Sequence, residues 1–266
     1  MIVRTTAYRS LEDALRAKRD AGRKLLVPYV TGGLGPEWPS VLEAVAAAGA
    51  DAVEVSIPFS DPVMDGPTIQ EASALALAAG TTPTGILDAL GGLAVDVPLV
   101  VMTYYNIVFR AGPDAFAQAL AAAGVAGAIV PDLPFEEVGE WAPAADAAGV
   151  ATILLVAPTT PDGTLRAICE RSRGWVYAVG LMGVTGERGR LAESATVVAS
   201  RVKAVTDRPV LIGVGVSDPA QAAEAAAVAD GVIVGSALVR RLLEGGGAGA
   251  AVDFVAGLRT ALDAVG

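Results

Sequence analysis

The sequence predicts an α/β fold: one domain over residues 1–266 that forms a closed (β/α)8 barrel of the TIM type with extra helices. Three observations lead to this prediction. Short apolar runs recur along the whole chain, Ala-rich stretches with helical periodicity separate them, and about eight such units fit into 266 residues. Nearly continuous apolar strands that alternate with helices are typical of parallel βαβ units. Roughly 250 residues is the usual size of a barrel built from eight of them.

Eight segments have the composition of buried strands. Each is short and apolar, and each is bounded by Gly, Pro or Asp, residues that favour turns over strands. The predicted strands are Leu25–Val30, Ala52–Ile57, Pro98–Met102, Gly127–Val130, Thr152–Val156, Trp175–Val179, Pro209–Val214 and Gly231–Val234.

Helical periodicity marks the segments between and around these strands. The helices predicted between strands are Trp38–Ala48, Pro113–Ala122, Phe135–Ala147, Leu165–Arg171, Ala192–Val205 and Pro219–Val228. Extra helical segments are expected at Leu11–Lys18, Ile69–Ala79, Gly85–Leu93 and Val252–Val265.

An open, doubly wound sheet is the competing architecture for alternating strands and helices. Its dinucleotide-binding version favours a Gly-x-Gly-x-x-Gly turn after the first strand. The segment that follows the first predicted strand is Thr31-Gly32-Gly33-Leu34-Gly35, which does not fit that spacing. The sequence therefore favours the closed barrel.

Composition excludes several classes of function. The chain is 53% hydrophobic and 18% charged, and no apolar run approaches the ~18 residues that a membrane span requires. A net charge of −10 argues against nucleic acid as a partner, but it permits a small phosphorylated substrate held by backbone amides. The single cysteine, Cys169, cannot form an intrachain disulfide, and residues 1–20 do not have the pattern of a signal peptide. We therefore expect a cytoplasmic protein.

The chain contains no histidine. Nucleophile systems built on Ser-His-Asp or Cys-His are therefore impossible, and so is zinc bound by histidine. Carboxylates, tyrosines, lysines or water must carry out any acid–base chemistry. We expect no metal site.

Glu54 is a charged residue inside the second predicted strand. Because side chains alternate along a strand, Glu54 lies on the face opposite Val53, Val55 and Ile57, which suit the helix-facing side. Glu54 then points into the barrel mouth, where catalytic groups of such barrels lie. Desolvation raises the pKa of a carboxyl, so we expect a neutral acid that can donate a proton. The alternative is an ion pair with a buried Lys or Arg.

Asp65 follows in a loop rich in Pro, Asp and Gly. In a wetter environment it should stay ionised, accept a hydrogen bond or stabilise a cation. Two carboxyl groups in unlike surroundings suggest divided acid–base roles. From the residues alone, the alternative that Asp65 only shapes an Asp-Gly turn stands nearly equal.

Glycines at the ends of the last two strands predict a phosphate site. The seventh strand runs into Gly213-Val214-Gly215 and the eighth into Gly235-Ser236. Loops after these two strands often bind phosphate through backbone N–H groups and the start of a short helix. Ser236 could cap such a helix and donate its hydroxyl. Ordinary tight turns are the alternative.

Three other segments lie at predicted strand ends. A loop with several glycines, residues 180–189, follows the sixth strand and has the composition of a lid. The segment Tyr104-Tyr105-Asn106 either lines a pocket or contributes aromatic core. We interpret Asp132, after the fourth strand, as a turn residue.

Glu54, the run Pro58–Pro62 and the run Asp65–Gln70 resemble the signature of the tryptophan synthase alpha subunit family. The segment Gly183–Gly186 resembles that family's loop after strand six, and the glycines after strands seven and eight resemble its phosphate loops. The similarity extends from about Leu25 to Val239.

The resemblance implies a lyase that cleaves indole-3-glycerol phosphate into indole and glyceraldehyde 3-phosphate, in the last step of tryptophan biosynthesis. It implies acid–base work for Glu54 and a contact between Asp65 and the indole N–H. It implies that Tyr177 positions the substrate or orients Glu54 and that Thr185 and Gly186 close the lid. It also implies that Gly215, Gly235 and Ser236 bind the phosphate. It also implies a beta subunit in an alpha2beta2 complex and no cofactor in this chain, with pyridoxal phosphate in the beta partner only.

The chain departs from the family pattern at Gly32–Gly35, Met64 and Gly180–Met182, regions that the resemblance places near the beta contact or the lid. A free-standing or specialised lyase therefore stays open, as does a subunit that only binds and regulates a partner. Another phosphate-binding barrel, such as an isomerase or aldolase, is a further alternative. A Schiff-base aldolase would need a strand lysine, and Lys18, Lys24 and Lys203 lie outside the predicted strands.

Overall fold

Eight parallel strands pair in chain order and close on themselves as a barrel in the structure, a computed structural model that describes residues 10–180, 193–213 and 215–265. This confirms the predicted fold class. The strands are β1 (Leu25–Thr31), β2 (Val53–Ser56), β3 (Leu99–Met102), β4 (Val125–Ile129), β5 (Ala151–Val156), β6 (Val176–Ala178), β7 (Val210–Ile212) and β8 (Gly231–Val234). The last strand pairs with the first, with Leu25 opposite Gly231.

Helices surround the barrel. They are α1 (Leu11–Asp20), α2 (Trp38–Ala47), α3 (Pro67–Ala78), α4 (Pro83–Gly92), α5 (Tyr105–Ala111), α6 (Pro113–Ala122), α7 (Trp141–Ala147), α8 (Asp162–Arg171), α9 (Glu193–Lys203), α10 (Pro219–Ala226), α11 (Ser236–Leu243) and α12 (Gly247–Asp263). No helix in the described part of the chain is long and apolar enough to cross a membrane.

Two helical predictions were wrong. The segment Phe135–Ala147 is a short 3-10 turn, Phe135–Glu137, followed by α7, instead of one helix. Pro143 explains the break, because it lacks the N–H that a continuous helix would direct to the carbonyl of Gly139. The other miss is α5, which begins at Tyr105 where no helix was predicted.

The two faces of β2 separate as the alternation of its side chains predicted. Val53, Val55 and Ile57 belong to the apolar layer between strands and helices. Glu54 projects to the other face, and its strand neighbours in the barrel are Tyr29 on β1 and Val100 on β3. The register therefore puts a carboxyl group among the side chains that fill the barrel.

Helix α1 closes the N-terminal end of the barrel. Leu11 and Leu15 pack into the same interior cluster as Trp175 and Ile153. A Cβ atom on Gly127 would lie 2.8 Å from a methyl carbon of Leu11, so the strand needs glycine there to admit the helix. With this end filled, the opposite end is left for a ligand.

Candidate active site

A cavity of about 730 Å³ opens at the C-terminal ends of the strands. Its lining includes six of the eight site residues predicted from the sequence: Glu54, Asp65, Tyr177, Gly215, Gly235 and Ser236. The other two, Thr185 and Gly186, lie outside the described residues, as does most of the predicted lid. The structure thus brings together residues from β2, β6 and the segments after β2, β7 and β8.

Glu54 lies at the closed, apolar end of this cavity. Its side chain is 1% exposed, and its Oε2 atom has no hydrogen-bond partner among the described residues. No Lys or Arg in that part of the chain forms an ion pair with it, which disfavours the purely structural alternative. Burial, and then the nearby charge of Asp65, raises the pKa of Glu54 to about 8. The carboxyl is therefore mainly protonated near neutral pH, as expected from its strand position.

The apolar character of this end comes from several elements. Around Glu54 the cavity is lined by Tyr29, Met102, Leu155 and Ile233. These side chains project from β1, β3, β5 and β8, and together they form a compartment suited to a flat apolar group.

Asp65 lies in the loop between β2 and α3. Its Oδ2 atom accepts a hydrogen bond of 3.0 Å from the hydroxyl of Tyr104. Burial raises the pKa of the Asp65 carboxyl, and the bond from Tyr104 opposes that rise. The Asp65 carbonyl accepts a 2.8 Å bond from Nε2 of Gln70 in the first turns of α3. The side chain of Asp65 is thus held by a tyrosine from another loop and lines the cavity.

Tyr104 is the positioning residue that the sequence left unresolved. It is 5% exposed, and its ring stacks on Phe59 with 5.1 Å between ring centroids. Its hydroxyl donates to Asp65 and accepts a 3.0 Å bond from the backbone N–H of Met64. The tyrosine therefore ties the end of β3 to the loop after β2. Its place directly after a strand was the signal that could have indicated this role.

Asp132 holds the same region from the other side. Its Oδ1 atom accepts a 2.9 Å hydrogen bond from the backbone N–H of Tyr105, the first residue of α5. A carboxylate at that position satisfies an otherwise unpaired helix amide and favours the helix dipole. Its contact with α5 explains part of the stability of a helix that local sequence did not predict.

Tyr177 projects from β6 into the cavity and is buried. Its hydroxyl donates a 3.3 Å hydrogen bond to the carbonyl of Gly213 at the end of β7. Burial raises the pKa of this phenol, so it is neutral. A Cβ atom on Gly213 would lie 2.2 Å from the Tyr177 hydroxyl oxygen, so the tyrosine fits only against glycine.

The open end of the cavity is formed by the segments after β7 and β8. Gly215 has a φ of +84°, which favours glycine, and Gly235 precedes α11 as its N-cap. Ser236 is the first residue of that helix, and Gly235 occupies the cap position without a side-chain bond, so the predicted capping role of Ser236 was wrong. Its hydroxyl is exposed at the cavity wall, and the first amides of α11 are available to an anion.

Comparison with known proteins agrees with this geometry. The family model for the tryptophan synthase alpha chain matches residues 15–254. The tryptophan synthase alpha chain of Thermobifida fusca is 46% identical over 241 residues, which cover 88% of this chain and 89% of that protein. The alpha chain of Streptomyces coelicolor is 45% identical over 253 residues, covering 93% and 91% respectively.

Comparison with solved structures also finds tryptophan synthase chains. A chain of Mycobacterium tuberculosis tryptophan synthase superposes with a TM-score of 0.87 at 42% identity, covering 95% of this chain and 97% of that one. The alpha chain from Legionella pneumophila superposes with a TM-score of 0.88 at 31% identity, covering 98% and 99%. The chain belongs to the tryptophan synthase alpha chain family.

Proposed function

We propose that the cavity cleaves indole-3-glycerol phosphate into indole and glyceraldehyde 3-phosphate. The chain is a lyase of the tryptophan synthase alpha type, with a role in tryptophan biosynthesis. The observation that carries the residue assignment is Glu54, a buried carboxyl whose Oε2 atom has no partner among the described residues, in an apolar compartment that Asp65 also lines. The whole chain acts as one barrel domain in the cytoplasm.

Glu54 performs both proton transfers in this proposal. As a neutral acid it delivers its proton to the indole ring carbon that bears the side chain. The resulting carboxylate then removes the proton from the neighbouring hydroxyl as the carbon–carbon bond breaks and the carbonyl forms. Glu54 ends the cycle protonated, so protons balance, and its pKa of about 8 permits both states near neutral pH.

Asp65 binds the indole N–H. Protonation of the ring carbon places positive charge on the ring nitrogen, and a carboxylate held by Tyr104 stabilises that charge. Tyr177 orients the substrate beside Glu54. Glu54 and Asp65 therefore act on different atoms of the same ring, the substituted carbon and the nitrogen.

Gly215, Gly235 and Ser236 hold the phosphate at the open end of the cavity. Thr185 and Gly186 belong to the segment that closes over the bound substrate. The cleavage uses no metal or cofactor, because proton transfer and electrostatic stabilisation suffice for a retro-aldol reaction.

A tryptophan synthase beta subunit, the partner that carries pyridoxal phosphate, docks beside the cavity in an alpha2beta2 complex. The support is an apolar face next to Asp65: Val63, Met64 and Phe109 are 80%, 57% and 64% exposed. The Tyr104 hydroxyl bonds Met64 and Tyr104 immediately precedes α5, which carries Phe109, so these residues lie on neighbouring segments. Exposed apolar side chains grouped in this way are typical of an interface.

Indole release from indole-3-glycerol phosphate tests the proposal. We expect slow release by the chain alone and faster release with its beta subunit. Glu54→Gln should lower the rate by about 10²–10⁴-fold, the usual contribution of a general acid–base group. Glu71→Gln, the same change on the exposed side of α3, is the matched control and should retain the wild-type rate. Circular dichroism checks that both variants fold.

Wild-type rates in Glu54→Gln would rule out the assigned mechanism. Failure of the wild-type chain to release indole, even with its beta subunit, would rule out the lyase and favour a subunit that only binds.

A further inference from the structure

Two arginines that the sequence analysis did not consider line the open end of the cavity. Arg240 and Arg241 lie on α11, one turn after Ser236. Neither guanidinium has a carboxylate ion-pair partner among the described residues. The same cavity contains the Oε2 atom of Glu54, which is buried without a partner in the part of the chain that the structure describes, and this independently marks the cavity as a ligand site. On a chain of net charge −10, unpaired cations at such a cavity suit an anionic ligand.

The two arginines differ in how firmly they are held. Arg241 donates a 2.6 Å hydrogen bond to the carbonyl of Ala237, and its guanidinium carbon lies 3.8 Å from the ring centroid of Phe254. Arg240 is exposed and donates to the hydroxyl of Thr68, a buried residue in the first turn of α3. Arg241 is therefore fixed by its contacts with Ala237 and Phe254. The guanidinium of Arg240 donates to a neutral hydroxyl, so its charge can bind an anion.

Helix geometry directs Arg240 towards the proposed phosphate. Arg240 follows Ser236 by four positions, so the two side chains share one face of α11. Long side chains on a helix lean towards its N-terminus, which here is the end formed by Gly235 and Ser236. An anionic phosphate oxygen is a stronger acceptor for a guanidinium than a neutral hydroxyl is, and it allows a bidentate contact, so a phosphate oxygen would displace the Thr68 hydroxyl as partner.

We propose that Arg240 is a specificity-determining residue that recognises the charge of the substrate phosphate. Its guanidinium exchanges the Thr68 hydroxyl for a phosphate oxygen when substrate binds at the start of α11. The inference rests on the proposed function, which places the phosphate at Gly235 and Ser236. It adds a side-chain cation to a site otherwise built from backbone amides and a hydroxyl.

Isothermal titration calorimetry with two probes tests this assignment. Glycerol 3-phosphate carries the charge, and indole is the neutral control. We expect Arg240→Gln to weaken glycerol 3-phosphate binding by about tenfold, the scale of one charge-assisted bond, with indole affinity unchanged. The affinity of Arg240→Lys for glycerol 3-phosphate should lie between those of wild type and Arg240→Gln, because lysine keeps the charge and loses the planar fork.

Two matched variants separate recognition from structure. Arg241→Gln removes the neighbouring cation, and Thr68→Val removes the hydroxyl at similar volume. Both should bind glycerol 3-phosphate within about twofold of wild type, and thermal melting confirms that they fold. Each of three results would overturn the inference. The first is that Arg241→Gln lowers the affinity for glycerol 3-phosphate as much as Arg240→Gln does, and the second is that Thr68→Val lowers it by the same amount. The third is that Arg240→Gln weakens the binding of indole as well as of glycerol 3-phosphate.

The lyase assay distinguishes failure of this inference from failure of the proposed function. A wild-type chain that binds glycerol 3-phosphate through Arg240 but releases no indole refutes the function and leaves the inference intact. A wild-type chain that cleaves the substrate while Arg240→Gln keeps the wild-type KM overturns the inference alone. Absence of glycerol 3-phosphate binding to wild type also overturns it.

Discussion

The acid–base role proposed for Glu54 requires a buried, neutral carboxyl group, and that burial has a stability cost. Its folded pKa of about 8 lies above the ordinary value of 4.5, so between those pH values the native protein holds a proton that the unfolded chain has released. Stability should therefore fall as pH rises through this window. Relative to Glu54→Gln, wild type should lose on the order of a few kcal/mol between pH ~5 and ~9, at ~1.4 kcal/mol per pKa unit.

Urea denaturation of both proteins across that pH range measures the difference. Glu71→Gln leaves Glu54 in place, so its stability should follow the pH dependence of wild type. A Glu54→Gln variant that also follows wild type would show that Glu54 is not held neutral. The same ionisation should lower kcat/KM above pH ~8, since in the proposed mechanism the neutral form delivers the first proton.

Tyr104→Phe tests how strongly the Asp65 carboxylate depends on its tyrosine. The change keeps the ring stacked on Phe59 and deletes the hydroxyl that bonds Asp65 and Met64. Loss of a hydrogen bond to a charged group costs about 1.5–3 kcal/mol, so kcat/KM should fall roughly 10- to 100-fold. The pKa of Asp65 should rise, because the Tyr104 bond opposes its upward shift.

Tyr105→Phe is the matched control, one residue along the chain. Steady-state indole release for both variants, repeated at several pH values, measures the effect. A Tyr104→Phe enzyme with wild-type kcat/KM would show that the hydroxyl does not support catalysis.

The local sequence pattern predicted the environment of Glu54 better than that of Asp65. Alternation along β2 was enough to direct Glu54 inwards, because a strand has only two faces. The partner of Asp65 comes from 39 positions away, on a different loop, and no local pattern encodes that contact. The Arg240–Thr68 bond, 172 positions apart, was missed for the same reason.

At the scale of elements, the strands were predicted well because they are buried on both faces and are therefore apolar throughout. The observed strands overlap all eight predicted ones. Helix α5 is the informative miss: its first backbone amide is bonded by Asp132 from the loop after β4. Tertiary contacts of this kind override local propensity, so sequence pattern alone did not predict that helix.

Asp51 joins several elements at the N-terminal end of the barrel. This carboxylate is fully buried and lies 3.0 Å from Lys18, 2.8 Å from Arg23 and 3.2 Å from Arg259. It also accepts a 2.9 Å bond from the backbone N–H of Leu26 in β1. One side chain therefore ties α1, β1 and α12 together.

Asp51→Asn should lower the free energy of unfolding by about 3–5 kcal/mol, because it removes a fully buried carboxylate charge from the buried Arg259 and from the part-exposed Lys18 and Arg23. Urea denaturation measures this loss. Asp20→Asn, which removes an exposed partner of Arg19, should cost no more than about 1 kcal/mol. Indole release below the unfolding transition should be unchanged in both, since Asp51 lies at the end of the barrel opposite the cavity. An Asp51→Asn variant as stable as Asp20→Asn would contradict this account.

Across the whole molecule, stabilising contacts and the candidate active site lie at opposite ends of the barrel. Helix α1 and the Asp51 contacts close one end, while the cavity and the exposed apolar residues occupy the other. The sequence predicted closure from the number of repeating units, but not that α1 fills the barrel end. That contact depends on glycines at positions 127 and 174, whose spatial proximity to Leu11 appears only in the folded chain.

Phe109→Glu should weaken activation by the beta subunit without lowering the basal rate of indole release. The ring is 64% exposed and outside the cavity lining, so basal indole release should remain within about twofold of wild type, as for most surface changes. A charge placed in the proposed apolar interface would be desolvated on docking, so the affinity for the beta subunit should fall by at least about tenfold.

Val197→Glu on α9 is the matched control, since Val197 is 51% exposed and α9 lies between β6 and β7, across the barrel from β2 and β3. Titrating each variant with the beta subunit while following indole release gives the concentration that half-activates the enzyme. If Phe109→Glu and Val197→Glu are activated as readily as wild type, the beta subunit docks elsewhere. Loss of activation in Phe109→Glu alone would place the partner on the face beside Asp65, where docking can reach the loop that Tyr104 holds.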